Sequence, residues 1–233
     1  MKFLKLICLL LIVGSLNAEE WKRVYLASAP RSGNHWLRYL IEEAAHIATS
    51  SVYRDKSDGN LPTVFEWGGY CCDHGYAGNC RYPEIDEPIV IKTHYPALKN
   101  QAFDLQPAMM TICIVRHPID VFYSWKIAYG DKALPYFISR WRKFQEYWNA
   151  QENVLMIRYE DLLTHPFQVL KQVLEAIGYS VTDQDIEHAI AKYPPTGEPL
   201  KHLSRYTEEE LNLIASELSD LLAHFEYLTP LIR

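Results

Sequence analysis

Four short stretches of this chain carry residue types that can handle an anion, and each follows an apolar run. Ala29-Pro30-Arg31-Ser32-Gly33 sets one cation in a turn of small residues, directly before Asn34-His35-Trp36. Lys92 and His94 close the run Ile89-Val90-Ile91, which stops at Pro96. Arg116 follows the apolar run that ends at Val115, with Ser124 eight residues further on, and Tyr159-Glu160-Asp161 closes the fourth run. A guanidinium is a rigid fork of donors for anion oxygens, an ammonium a compact charge, and an imidazole a group that titrates near neutrality. The turn around Gly33 has neither the G-x-x-x-x-G-K-[ST] spacing of a Walker loop nor G-x-G-x-x-G, so any anion site there is of another kind. Taken singly, each residue has a plain structural reading. Trp36 falls within an apolar stripe, Arg116 can pair with Asp120, and His94 can be a satisfied structural histidine.

The elements that must position these residues are readable from periodicity. Val24 to Ala27 reads as a short buried strand, and a helical pattern begins near Asn34 with Leu37, Leu40, Ile41, Ala44, Ala45 and Ala48 on one face. Strand, tight turn and helix N-terminus form an anion cradle, because the first amides of a helix lack intrahelical acceptors and sit at its positive end. Pro88 to His94, Met109 to Val115 and Asn153 to Tyr159 read as further strands. Pro118 opens a helix carrying Val121, Phe122, Ser124, Trp125 and Ala128, and Phe137, Trp141, Phe144 and Trp148 mark the next. A helix ending at Gly178 follows, and Thr182/Asp185 and Thr207/Glu210 read as capping boxes. The second box opens a terminal helix with Leu211, Ile214, Leu218, Leu221, Leu222 and Phe225 inward. Residues 49–88 lack periodicity and read as a long loop, either the acceptor-side wall of a pocket or a disordered insertion. Strands alternating with helices predict an α/β fold: a three-layer parallel sheet with helices on both faces, whose ligands bind outside the carboxyl ends of the strands.

Composition narrows the partners. The 233 residues suit one domain with a substantial core, at 48% hydrophobic and 22% charged. Residues 1–18 read as a secretion signal: Lys2 and Lys5, an apolar run from Leu6 to Val13, then small residues to Ala18. The alternative is a short uncleaved anchor. Cleavage would leave residues 19–233 as a single exported domain with no stable membrane anchor, in a periplasmic, extracellular or Golgi-type compartment. The net charge is −6 with the leader, and losing Lys2 and Lys5 makes it more negative. That balance disfavours nucleic acid as a partner, so a polyanionic ligand has to be held by a few local cations. Cys71, Cys72 and Cys80 share one loop, where a local disulfide would leave one thiol over; with His74 their spacing fits no standard zinc signature, and no metal is expected.

The four motifs, in this order, resemble the sulfotransferases that use 3′-phosphoadenosine 5′-phosphosulfate (PAPS), over about Arg23 to Ile177. The resemblance implies a P-loop nucleotide-binding-like fold and PAPS as co-substrate without a metal. Ala29 to Trp36 is similar to the family's 5′-phosphosulfate loop, which gives Arg31 the phosphosulfate, Ser32, Gly33, Asn34 and His35 the backbone donors, and Trp36 the adenine. Ile91-Lys92-Thr93-His94-Tyr95-Pro96 resembles the segment with the catalytic base. By that likeness His94 takes the acceptor's proton, and Lys92 and Arg31 stabilise the departing oxygen. Arg116 and Ser124 match the 3′-phosphate motif, and Tyr159 the adenine contact. The implied function is sulfuryl transfer by in-line displacement to a hydroxyl or amine on a small-molecule, glycan or peptide acceptor. Two other readings stand beside it: a P-loop-like kinase or other nucleotide-phosphate enzyme, and an exported, non-catalytic protein that binds the bisphosphate nucleotide. There are departures. Asn34-His35 stands where Thr-Thr is common, and the family's late Gly-rich loop is missing, leaving Lys201 or Arg205 to serve the 3′-phosphate.

Overall fold

Strand β1 (Lys22–Ser28) is apolar on both faces and therefore sits inside the sheet, hydrogen-bonded on one side to β5 (Pro88–Thr93) and on the other to β6 (Met110–Val115). The structure, a computed structural model, describes residues 22–52, 63–64, 69–71, 81, 83–84, 86–96, 108–130 and 132–227. Outside β6 lies β7 (Val154–Arg158), and outside β5 lies β2 (Ser50–Ser51), both parallel to their neighbours. These five strands are the parallel sheet that the strand–helix alternation predicts. Beyond β2 the sheet continues antiparallel through β4 (Gly69–Cys71) to β3 (Thr63–Val64), an edge within the stretch that reads as loop from sequence. Two- and three-residue strands carry no periodicity to detect. The leader, Cys72, Cys80 and His74 lie outside the described residues.

Side chains alternate faces along each strand, which makes the two outer layers. Val24, Leu26, Ile112 and Ile114 pack on α1 (Asn34–Ala45), α5 (Pro166–Ile177) and α6 (Asp183–Lys192). Ala27, Cys113 and Val115 pack on α2 (Pro118–Tyr129), α3 (Leu134–Asn149), α7 (Glu208–Glu217) and α8 (Ser219–His224), around fully buried Trp141 and Phe144. Each such side chain contributes about 1.5–3 kcal/mol relative to exposure.

Three boundaries differ from the periodic reading. Helix α1 ends at Ala45, where His46 turns left-handed at φ 55°, and Ala48 is buried in the following segment rather than on the helix. The fourth strand ends at Arg158, and Tyr159 opens the short α4 (Tyr159–Thr164). The terminal helix breaks at Leu218 into α7 and α8, although Ile214, Leu218, Leu221, Leu222 and Phe225 all face inward as the stripe requires. Both capping boxes form. Register pairs Ala27 with Thr93 and with Cys113, and Val115 with Arg158, so the polar residues that follow the strands emerge along one edge.

Candidate active site

The turn between β1 and α1 is held from three sides. Gly33 precedes α1 at φ 93°, and a Cβ there would lie 2.3 Å from Tyr159 Cδ2, so both backbone shape and the ring's approach demand glycine. Trp125 Nε1 donates to Pro30 O, and Arg116 Nη1 donates to Arg31 O at 2.9 Å. Arg31 itself is left-handed at φ 69° and exposed, and its Nε donates to Ser124 Oγ at 2.9 Å. The side chain of Ser32 is buried and its N–H donates to Ala29 O at 3.3 Å, which spends in the turn the amide assigned to the 5′-phosphate.

The His94 ring stands at the tip of β5, where Nδ1 is 2.7 Å from Ser28 O. A carbonyl only accepts, so Nδ1 carries the proton and Nε2 the lone pair. Asn34 steadies this arrangement by donating to Leu26 O at 3.0 Å and to Ser28 Oγ at 3.3 Å. Burial, with the charge of Lys92 second, lowers the His94 pKa to about 3 and keeps the ring neutral. The Lys92 Nζ lies 2.6 Å from His35 Nε2.

The guanidinium of Arg116 is stacked 4.4 Å over the Tyr159 ring and lies 3.7 Å from the Asp120 carboxylate. Asp120, 1% exposed, accepts from the backbone amides of Leu200 at 2.9 Å and His202 at 3.2 Å. That clamp, with His202 stacked on Tyr123 at 4.3 Å, brings residues 200–202 to the tip of β6. Trp36 is half-buried, with Nε1 on Tyr193 O at 2.9 Å.

One cavity of about 410 Å³ gathers these groups. Arg31, Gly33, Asn34, His35, Trp36, Lys92, His94, Arg116 and Ser124, all singled out from sequence, line it. Ser32 and Tyr159 do not; the Tyr159 ring instead supports Gly33 and Arg116 from behind. Sequence reasoning missed His202 and Tyr129 in the lining, Ser28 beneath the imidazole, and Asp120 as the anchor of the late segment; Lys201 does line the cavity, and Arg205 does not. A clue to Asp120 was its place one helical turn after Arg116. Among the described residues of the lining there is no carboxylate, on a chain whose net charge is −6. Such a cavity suits a ligand with several negative charges next to a proton acceptor.

The sulfotransferase domain model matches residues 22–202. A Drosophila melanogaster WSCD family member, CG9164, is 25% identical over 189 residues, covering 72% of this chain and 54% of its own length. Mouse sulfotransferase 6B1 is 27% identical over 186 residues, covering 70% and 57% respectively. The chain thus spans little more than half the length of these relatives. The fold matches the crystal structure of mouse sulfotransferase SULT7A1 complexed with PAP at TM-score 0.56, with 15% identity and 90% and 89% coverage. It also matches retinol dehydratase in complex with androsterone and the inactive cofactor PAP at TM-score 0.53, with 15% identity and 86% and 80% coverage. With the domain match running from β1 to the clamped late segment, the chain belongs to the sulfotransferase domain family.

Proposed function

We propose that this chain moves a sulfuryl group from PAPS to a hydroxyl or amine acceptor. The observation that carries the reading is the one cavity in which Arg31, Lys92, Arg116 and Lys201 meet the His94 imidazole with no carboxylate among its described lining residues. The donor set fits a bisphosphorylated nucleotide: Arg116 Nε is buried without a hydrogen-bond partner, and Lys201 stands in the same lining. The mouse sulfotransferase and retinol dehydratase structures of matching fold both contain PAP, which supports the nucleotide class.

In this reading Arg31, Lys92 and the first-turn amides of α1 hold the 5′-phosphosulfate, Arg116, Ser124 and Lys201 hold the 3′-phosphate, and Trp36 covers the adenine. When bound, the donor supplies an activated sulfuryl group with a phosphate as leaving group. His94 Nε2 accepts the proton of the incoming hydroxyl: the Ser28 carbonyl keeps it in the correct tautomer and burial keeps it unprotonated, though burial and the Lys92 charge also weaken it as a base until a bound anion offsets them. Such a base contributes about 10²–10⁴-fold. Arg31 and Lys92 meet the charge that grows on the leaving oxygen, worth on the order of 10²–10³-fold for each well-placed donor. Tyr129, an exposed aromatic in the same lining, contacts the acceptor in this reading. The leader at residues 1–18 directs the domain into the secretory pathway, where the acceptor is a small molecule, glycan or peptide.

Radiolabelled PAPS offered to residues 19–233 with panels of phenols, glycans, lipids and tyrosine peptides tests the reading. Transfer to at least one acceptor class is expected, and His94→Ala should abolish it while PAP binding persists. Parallel loss of transfer and binding removes His94 from the base role, and tight PAP binding without transfer to any acceptor removes the catalytic claim.

A further inference from the structure

Lys92 lines the cavity hydrogen-bonded to a histidine. Its Nζ, on a residue only 7% exposed, lies 2.6 Å from Nε2 of exposed His35 on the first turn of α1. An ammonium has only N–H groups to give, so His35 accepts here, and its ring is neutral with the proton on Nδ1. A protonated ring has no lone pair for Lys92, and two cations at that distance repel. Among the described residues that line the cavity with His35, Arg31 in the turn, Arg116 at the tip of β6 and Lys201 from the late segment are cations that also oppose a second proton, and the neutral His94 at the tip of β5 and His202 face the same space. The positive end of α1 adds to them. Glu42 lies on the buried side of α1, where its Oε1 accepts from Thr49 N and Oγ1, and Arg38 donates to the same Thr49. A ligand with several negative charges in this cavity reverses the sign of the local field.

We propose that His35 is a proton-linked latch on Lys92, set by the nucleotide. Neutral, it holds the ammonium in a hydrogen bond. When the anionic nucleotide arrives, His35 Nε2 takes up one proton from solvent, releases Lys92 toward the phosphosulfate and adds a cation of its own to that pole. No covalent bond changes, and the proton returns to solvent when the nucleotide product leaves. This rests on the donor reading above. It predicts that donor affinity strengthens as pH falls through neutrality.

Two measurements on the whole domain test the latch. Titration calorimetry of PAP near pH 7, in buffers of low and high ionisation enthalpy, counts protons taken up per nucleotide. The native protein should take up about half a proton more than His35→Thr, a difference from which the nucleotide's own phosphate titration cancels. Without nucleotide, imidazole NMR should place the His35 titration midpoint about one pH unit higher in Lys92→Met than in the native protein, since the ammonium no longer occupies Nε2. An unmoved midpoint overturns the latch, and so does equal proton uptake by a native protein and a His35→Thr variant that both bind PAP. If PAP binds to neither, the donor reading fails and the latch fails with it.

Discussion

Replacing Asp120 by Asn should loosen nucleotide binding through a segment eighty residues away. The carboxylate accepts from Leu200 N at 2.9 Å and His202 N at 3.2 Å and is 1% exposed. Hydrogen bonds to a charged acceptor are worth about 1.5–3 kcal/mol each. Asparagine keeps one acceptor oxygen and turns an NH₂ toward the other backbone donor, so about 2–3 kcal/mol is lost from the closed position of residues 200–202. At 1.4 kcal/mol per factor of ten, that position becomes roughly 30–140-fold less favoured. Relief of the attraction between Asp120 and Arg116 at 3.7 Å works the other way and offsets part of this loss. Calorimetry should therefore find PAP binding weakened by about tenfold or more, with a much smaller loss for adenosine 5′-phosphosulfate, which lacks the 3′-phosphate. In the Lys201→Ala background the same substitution should cost little, because the group it positions is gone. PAP affinity within twofold of native in a folded variant, or full additivity with Lys201→Ala, refutes the reasoning.

Other perturbations have directions set by the same geometry. Gly33→Ala forces a Cβ to 2.3 Å from Tyr159 at a φ of 93°, combining backbone strain with overpacking at about 2–5 kcal/mol together; a thermal midpoint within 2 °C of native would contradict the contact, against an expected fall of roughly 5–15 °C. Acid should destabilise the fold before ordinary carboxylates titrate. Burial lowers His94 to about 3 and His117 to about 4, so both rings stay neutral when folded and charge near pH 6.5 when unfolded. Their contribution is complete above pH 6.5 and falls as pH drops through that value, by about 1.4 kcal/mol per pH unit for each. Glu160, whose carboxyl burial pushes up, opposes this in part. The melting temperature at pH 5 should lie about 5–15 °C below that at pH 7, and His94→Gln should shrink the gap; equal midpoints at the two pH values count against both buried rings.

Much of the site was readable because each piece is local. A strand, its polar tip and the helix behind it are contiguous, so Arg31, Lys92, His94 and Arg116 could be placed on one edge from periodicity alone, and the edge they share is the one the register aligns. What stayed hidden depends on contacts between distant segments. Asn34 looked like a supplier of backbone amide, yet its side chain braces Ser28 beneath the imidazole. Tyr159 looked like a wall of the nucleotide site, yet its ring fills the space that Gly33 leaves and carries Arg116. Asp120 looked like a partner for Arg116 one turn away, and its main ligands are two amides from residues 200 and 202. The short edge strands β2 to β4 were invisible because two or three residues are too few to show alternation.

The claim on which the rest depends is that cations from neighbouring strand tips share one nucleotide, with Arg116 at its 3′-phosphate. Calorimetric affinities of the native domain and of Arg116→Ala for PAP and for adenosine 5′-monophosphate test it most directly. The account predicts that the native domain prefers PAP by about a hundredfold, one or two charge-assisted hydrogen bonds' worth, and that Arg116→Ala removes most of that preference, with a much smaller loss for adenosine 5′-monophosphate from the missing support of the Arg31 carbonyl. Equal affinities in the native domain, or an equal loss for both nucleotides in the variant, would contradict it.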